Sequence, residues 1–148
     1  MPSLLLDNLA RPIVQAPMGG GPSTPELAAA VAGAGGLGFL AAGYKSAEGL
    51  AAEIAAAREL TDRFGVNLFV PGPREDAERY GAYVENLKRE NADAGEPRWS
   101  DDEWEAKLEL LRREPVAAVS FTFGCPTPEV VADPEARQAL EAALRADS

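Results

Sequence analysis

The chain has 148 residues, 46% of them apolar and 26% charged, which is the composition of a folded domain rather than a disordered segment. Its net charge of −10 argues against nucleic acid and anionic membrane surfaces as partners. The single cysteine, Cys125, excludes an intramolecular disulfide, and without a membrane-length apolar run or a leader-like start we expect a soluble, cytoplasmic protein.

Four apolar runs of strand length predict a parallel sheet whose strands alternate with helices. Two of these runs, residues 13–16 and 37–41, flank one helical segment, and the others lie at residues 66–70 and 116–123. An uninterrupted apolar run such as 37–41 is typical of a strand that is covered on both faces. The first two units repeat at about 30 residues, the interval expected of βαβ architecture. We therefore predict an α/β fold of about four βα units.

Cap signals place two helices between the first three strands. Ser23 stands three residues before Glu26, which is the spacing of a capping box, and Thr24 is an alternative cap. A second helix over residues 46–63 begins at a serine cap and ends before Gly65. The predicted core-facing residues are Leu27 and Val31 on the first helix and Leu50, Ile54 and Ala57 on the second.

A charged segment over about residues 74–114 interrupts this regularity after the third strand. Apolar side chains at helical spacing predict two helices within it, joined by a hinge at residues 91–100. Their apolar faces are Tyr80, Tyr83, Val84 and Leu87, and then Trp104, Leu108 and Leu111. We expect this helical excursion to lie over the third strand. After the fourth strand, Thr127 opens a helical turn and Asp133 caps a final helix.

The turn after the first strand is the predicted functional site. Residues 16–21 read Ala-Pro-Met-Gly-Gly-Gly, and ligands of parallel α/β sheets bind beyond the carboxyl ends of the strands. Three successive glycines let a flat or anionic ligand approach main-chain N–H groups closely. On the glycines alone, a turn that merely reverses the chain is favoured by roughly two to one.

A resemblance to a known family covers residues 12–21, 23–31 and 34–38, which read PIVQAPMGGG, STPELAAAV and AGGLG. These runs resemble the opening of the nitronate monooxygenases, also called 2-nitropropane dioxygenases, which are FMN-dependent (β/α)8-barrel enzymes. The resemblance implies a TIM barrel, FMN as cofactor, and oxidation of an alkyl nitronate by dioxygen to a carbonyl compound and nitrite. Because a complete barrel needs roughly 250 residues, we expect residues 1–148 to be its amino-terminal half. Alone, this half should be inactive and bind FMN weakly or not at all.

The same resemblance implies the cofactor-binding residues. The Ala-Pro-Met run of the family lies against the FMN ring, which assigns Ala16, Pro17 and Met18 here. Asn67 matches the asparagine of the family's Gly-Val-Asn-Leu-Phe run and inherits a flavin contact. Without the resemblance, a core amide bonded to neighbouring backbone is favoured by about two to one. The family's histidine near the substrate lies beyond this chain, so no catalytic residue is assigned, and no metal site is predicted.

Several other residues have a simpler structural explanation. Cys125 follows the fourth strand, but the sequence has no histidine to activate it, so a nucleophilic thiol has roughly one chance in ten. Lys45 is interpreted as a solvated charge rather than a ligand contact by roughly two to one. Phe121 and Phe123 alternate along a strand and are interpreted as core residues rather than ring-stacking residues.

Two other functions stay open at this stage. FMN-dependent enoyl-acyl-carrier-protein reductases begin similarly, so an enoyl-thioester reductase using NAD(P)H is one alternative. A non-catalytic half-barrel that serves as an assembly partner is the other. Four βα units would leave two strand edges unpaired, which predicts self-association or pairing with a second half.

Overall fold

The computed structural model describes residues 7–74, 77–90, 96 and 98–131. Helices and strands alternate along most of this part of the chain, and none of its helices is both long and apolar enough to cross a bilayer. In chain order the elements are helix α1 (Pro25–Gly33), strand β1 (Gly38–Ala41), helix α2 (Ala47–Arg58), strand β2 (Phe64–Phe69), a 3₁₀ turn (Ala77–Tyr80), helix α3 (Gly81–Glu90), helix α4 (Trp104–Arg113), strand β3 (Ala118–Thr122) and helix α5 (Pro128–Val131).

The three strands form a parallel sheet in the order β1-β2-β3. The register places Ala41 beside Asn67 and Asn67 beside Ser120. Because the strands are parallel, their carboxyl ends lie along one edge of the sheet. The predicted α/β class is confirmed. Among the described residues the outer edge of β3 has no strand partner.

The predicted first strand, residues 13–16, is wrong as a regular strand. It is reduced to one parallel bridge between Val14 and Leu37, with backbone hydrogen bonds from Gln15 N–H to Leu37 O (2.9 Å) and from Leu37 N–H to Ile13 O (3.0 Å). Both Ile13 and Val14 are exposed. A segment paired along one side, with its apolar side chains exposed, lacks the packing that extends a strand. The segment nevertheless lies beside β1, where the first strand was expected.

Helix α1 begins at Thr24 rather than at the predicted capping box of Ser23. The hydroxyl of Thr24 accepts a hydrogen bond from Leu27 N–H at 3.2 Å, which satisfies one of the free amides of the first turn. Hydrogen bonding to its own backbone amide and, to a smaller extent, to the Thr24 hydroxyl lowers the pKa of Glu26 below its ordinary value of 4.5. The first turn of α1 is therefore stabilised by a carboxylate as well as by a hydroxyl cap.

Helix α1 lies close to the sheet through Ala28 and Gly38. Ala28 is fully buried, and a Cβ placed on Gly38 would lie 2.4 Å from the Ala28 Cα. Leu27 and Val31, the predicted core edge, are only half-buried. The closeness of two small residues, rather than a pair of large side chains, fixes this contact.

Helix α2 begins as predicted and ends earlier. The hydroxyl of Ser46 accepts a hydrogen bond from Gly49 N–H at 3.1 Å, and the helix stops at Arg58. Gly65, which was predicted to end it, instead lies inside β2. A Cβ on Gly65 would lie 2.4 Å from Cε1 of Phe39, so this glycine makes room for an aromatic ring on the neighbouring strand.

The main core lies between the sheet and helices α2 and α4. The three predicted core residues of α2, Leu50, Ile54 and Ala57, are fully buried, which confirms that face of the helix. Each large aliphatic side chain buried in this way stabilises the fold by about 1.5–3 kcal/mol. The other buried members are Ala28, Leu40, Ala42, Phe64, Val66, Leu68, Leu108, Leu110, Leu111 and Val116.

The excursion is helical, as predicted, but its two halves pack differently. In α4, Leu108 and Leu111 are buried and Trp104 is half-buried against Phe121, with ring centroids 6.0 Å apart. The apolar face predicted for α3 is not part of the core, because no residue of α3 is buried against the described part of the chain. Most of the predicted hinge at residues 91–100 lies outside the described residues.

The end of the chain is described as far as residue 131. The helical turn expected at Thr127 is confirmed as α5. The final helix expected from Asp133 falls outside the described residues.

Candidate functional site

Three aromatic rings lie along the carboxyl ends of the strands, one after each strand or at its end. Tyr44 and Phe69 meet edge to face, with centroids 5.3 Å apart, and Phe69 and Phe123 do the same at 4.8 Å. Tyr44 is 81% exposed and Phe123 is 75% exposed. We call Tyr44, Phe69 and Phe123 the aromatic edge. It presents apolar ring surface to solvent at the end of the sheet where ligands of this architecture bind.

The prediction that Phe123 is a core residue is wrong. Strand β3 ends at Thr122, and Phe123 has a positive φ of 70°, which ends the alternation of the strand and directs its ring to Phe69. Phe121, one alternation earlier, packs against Trp104 and the main core, and its predicted role is confirmed. The two phenylalanines therefore belong to opposite faces of the sheet.

The glycine turn lies against the aromatic edge. A Cβ placed on Gly19 would lie 3.7 Å from two ring carbons of Tyr44, which is ordinary van der Waals contact. Gly20 and Gly21 have φ of 82° and 119° and have open space where a side chain would be. Among the described residues, no acceptor bonds the N–H groups of these three glycines. The turn therefore has both free space and N–H groups that a ligand could use.

Ser23 holds this turn together from inside. Its side chain is buried, and its hydroxyl accepts hydrogen bonds from Met18 N–H at 2.8 Å and from Gln15 Nε2 at 3.2 Å. Gln15 also accepts a hydrogen bond from Phe39 N–H at 3.0 Å, and its Nε2 donates to Ala16 O. Sequence patterns gave Ser23 a cap role and gave Gln15 none, because these partners lie outside the local helix and strand signals.

The predicted cofactor residues Ala16, Pro17 and Met18 lie in this turn. Ala16 is exposed, Pro17 is half-buried and Met18 is 39% exposed. Because Met18 N–H is bonded to Ser23, what Met18 offers a ligand is its side chain and carbonyl. The polarisable thioether of methionine suits contact with a flat aromatic surface.

Asn67 is almost fully buried, at 3% exposure, and its side-chain amide is fully bonded. Its Nδ2 donates to the hydroxyls of Ser120 and Thr122, both at 3.0 Å, and its Oδ1 accepts from the Thr122 hydroxyl at 3.3 Å. A buried amide needs such partners. Apart from the family resemblance, the sequence predicted backbone partners, whereas the structure supplies two side-chain hydroxyls. These three neutral side chains form a network on the face of the sheet opposite the main core, beneath the aromatic edge.

The start of α4 is tied to the loop after β1. Asp102 Oδ1 accepts a hydrogen bond from Tyr44 N–H at 2.9 Å, and Glu103 Oε2 accepts one from Ala47 N–H at 2.7 Å. Lys107 is 1% exposed and lies 2.7 Å from Asp102 Oδ2. No role was predicted for Lys107 from the sequence. Its position on the same helical face as Trp104 and Leu111 is the signal that could have identified it.

Lys45 and Cys125 take no part in the aromatic edge. Lys45 is half-buried and forms an ion pair with Glu53 at 2.6 Å, so it is a paired charge rather than the freely solvated one predicted. Cys125 is exposed and has a free thiol. The 148 residues contain no histidine that could act as a base for it.

Comparisons with known proteins identify the family of the chain. The profile of the nitronate monooxygenase family matches residues 3–144. A nitronate monooxygenase of Pseudomonas aeruginosa is 44% identical over 128 residues, which is 80% of this chain and 36% of that protein. One of Paraburkholderia phytofirmans is 39% identical over 140 residues, which is 88% of this chain and 38% of that protein. The chain thus spans a little over a third of the length of these curated relatives.

Solved structures show the same fold. The nitroalkane oxidase of Streptomyces ansochromogenes is 45% identical with a TM-score of 0.78, over 95% of this chain and 46% of that one. FabK of Thermotoga maritima is more distant, with 27% identity and a TM-score of 0.57 over 94% of this chain and 39% of that one. The fold is therefore α/β of the TIM-barrel type, and this chain forms one part of such a barrel. Because the family profile extends over nearly all of its residues, the chain belongs to the nitronate monooxygenase family.

Proposed function

We propose that this chain supplies one wall of the FMN site in an enzyme that oxidises an alkyl nitronate with dioxygen to a carbonyl compound and nitrite. The observation that carries the proposal is the meeting of the glycine turn and the aromatic edge at the carboxyl ends of the strands. Family membership supports the reaction class. The resemblance of the Ala16-Pro17-Met18 run to the family's cofactor turn supports FMN.

The residues present suit the flat ring of FMN. Gly20 and Gly21 leave space beside the turn, and the N–H groups of the glycines have no acceptor within the described part of the chain. The exposed Met18 side chain and the rings of the aromatic edge provide apolar surface nearby. An isoalloxazine ring combines apolar faces with a polar edge of carbonyl and nitrogen acceptors, and this surface matches both.

Asn67 takes part in this proposal through its two hydroxyl partners. Its own amide is buried and bonded, so a direct contact with FMN would require an exchange of hydrogen bonds. Ser120 and Thr122 are half-buried and lie on the same face of the sheet as Asn67. They therefore extend its hydrogen bonding toward the carboxyl ends of the strands. We propose that Asn67 orients these hydroxyls and that the three side chains together form the polar floor of the ring site.

The chain's own residues would bind and orient rather than exchange protons. Asn67, Ser120 and Thr122 are neutral, and no histidine is present in the sequence. When bound, FMN would supply the redox chemistry by accepting electrons from the nitronate and passing them to dioxygen. Holding a planar ring and an anionic substrate in a fixed geometry accounts for much of the rate in such reactions.

A hybrid protein tests the proposal. Residues 1–148 would replace the matching segment of the Streptomyces ansochromogenes nitroalkane oxidase, whose structure aligns with 95% of this chain. We expect the hybrid to bind FMN, consume dioxygen with propyl-2-nitronate and release nitrite. Circular dichroism and gel filtration against the parent enzyme would verify that it folds. A folded hybrid that binds no FMN would contradict the proposal. Reduction of its flavin by NADH but not by the nitronate would favour the enoyl-thioester reductase alternative instead.

A further inference from the structure

A buried charge joins the excursion to the candidate site. The Lys107 ammonium is 1% exposed, lies 2.7 Å from Asp102 Oδ2 and donates a hydrogen bond to Ala42 O at 3.0 Å. A buried ammonium is costly unless a counter-charge and acceptors compensate for lost water. By contacting both Asp102 and the carbonyl group of Ala42, Lys107 holds Asp102 beside the end of β1.

Asp102 in turn holds the backbone of Tyr44. While Oδ2 faces Lys107, Oδ1 accepts the hydrogen bond from Tyr44 N–H at 2.9 Å. Tyr44 has a φ of 66°, a left-handed conformation that a bulky aromatic residue rarely adopts without compensating contacts. The conformation aims its ring at Gly19 and Phe69, so the position of the ring depends on a carboxylate 58 residues away in sequence.

Backbone strain is concentrated at this contact. Within the described ranges, the non-glycine residues with positive φ are Tyr44, Asp102, Glu103 and Phe123. The first three make the contact between the excursion and the loop after β1, since Glu103 bonds Ala47 N–H. Phe123 belongs to the aromatic edge. Strained residues persist where surrounding contacts over-determine them, and they cluster at functional sites.

We propose that Asp102 and Lys107 are positioning residues that hold the Tyr44 ring as a side wall of the ligand site. Neither residue carries chemistry. The excursion would thereby fix where the Tyr44 ring meets the glycine turn at the side of the site. This inference rests on the proposed function only for the identity of the ligand, FMN.

Amide hydrogen exchange of the 148-residue chain, measured by NMR, tests the positioning role without a ligand. In Asp102→Ala, Tyr44 N–H loses its acceptor, and we expect its exchange to accelerate by about tenfold or more relative to that of Asn67 N–H in the central strand. Asp102→Asn keeps an acceptor at Oδ1 but leaves the Lys107 charge unpaired. The double variant Asp102→Asn with Lys107→Met keeps the acceptor and removes that charge, so Tyr44 N–H should stay protected in it. The matched control is Glu53→Gln, which breaks the Lys45 ion pair of the same loop and should leave Tyr44 unchanged.

Two exchange results would overturn the proposal. One is an unchanged Tyr44 amide in Asp102→Ala. The other is equal acceleration of the Tyr44 and Asn67 amides, which would mean that Asp102 only stabilises the whole fold. If Asp102→Ala does not fold, protection of Tyr44 in the double variant supports the role and its loss there overturns it.

FMN binding, followed through the same NMR signals, separates this inference from the proposed function. We expect Asp102→Ala to weaken FMN binding by about tenfold while Glu53→Gln leaves it unchanged. Equal FMN affinity in Asp102→Ala and the parent chain, with Tyr44 loosened, would overturn the role of the Tyr44 wall. If the parent chain shows no response to FMN, the exchange result alone decides the positioning role of Asp102, and the hybrid protein decides the cofactor assignment.

Discussion

The ring of Phe69 occupies the space in which a side chain at Gly43 would lie. A Cβ placed on Gly43 would be 2.3 Å from Cε2 and Cζ of that ring, a distance that no structure tolerates. Gly43 therefore lets the end of β2 reach over the loop that follows β1. That placement brings Phe69 into contact with Tyr44 and creates the aromatic edge.

Substitution of Gly43 by alanine tests whether this space is needed. We expect Gly43→Ala to displace the Phe69 ring, lower the free energy of unfolding by about 1–3 kcal/mol and alter the near-ultraviolet circular dichroism of the aromatic residues. Gly72→Ala is the matched control, because nothing lies within 4 Å of a side chain there. Equal urea midpoints for the two variants would show that the Phe69 ring can repack around the added methyl group without loss of stability.

Gly38 tests the close contact between α1 and the sheet. Its added methyl group would meet backbone atoms of Ala28 at 2.4 Å, and backbone cannot move aside as a side chain can. We expect Gly38→Ala to destabilise the fold by about 3 kcal/mol. Gly33→Ala, in α1 with open space around it, should instead stabilise the chain by about 0.5–1 kcal/mol. Urea unfolding measures both signs, and a mild effect at Gly38 would contradict the described packing.

Asn67 tests the polar floor of the site. Asn67→Ala leaves the Ser120 and Thr122 hydroxyls without their shared partner, and we expect a loss of about 1–3 kcal/mol in the free energy of unfolding. Asn86→Ala, on the exposed surface of α3, should change it by no more than about 0.5 kcal/mol. If the two substitutions cost the same, the network does not contribute to stability.

The cap of α1 gives a pH dependence of known sign. Because the pKa of Glu26 is lowered in the folded chain, its ionised form contributes stability above the ordinary value of 4.5, and this contribution is lost as the pH falls through the lowered pKa. Glu26→Gln should therefore reduce the difference in urea midpoint between about pH 6 and about pH 3. Thr24→Ala removes the hydroxyl partner as well as the cap. It should therefore lower the urea midpoint across this pH range and also reduce the dependence of that midpoint on pH. An unchanged pH profile in Glu26→Gln would contradict the assignment.

Local patterns predicted what depends on local contacts. The spacing of Leu50, Ile54 and Ala57 identified a face that is fully buried, and the cap signals at Thr24 and Ser46 were right because a cap bonds an amide three residues on. The family resemblance located the turn that the structure places beside Tyr44.

The errors involve partners that are distant in sequence. Gly65 was taken for a helix end because nothing local shows that Phe39 needs its space. Lys107 had no predicted role, since its counter-ion and acceptor are set by how α4 meets β1. Phe123 was assigned to the core because strand alternation was extended one residue past the end of β3. Each of these required knowledge of which elements are neighbours.

An NMR titration of the 148-residue chain with FMN would show whether the cofactor meets the chain at the carboxyl ends of the strands, because chemical shifts detect weak binding and locate it. We expect a Kd of about 1 mM or weaker, with the shift changes that occur concentrated at Met18, Gly19, Tyr44 and Phe69 along the carboxyl ends of the strands. Shift changes confined to the opposite ends of the strands would rule out an FMN site at this edge. A tight, stoichiometric complex of the chain alone would show that the chain needs no second half to bind FMN, against the expectation of weak binding or none.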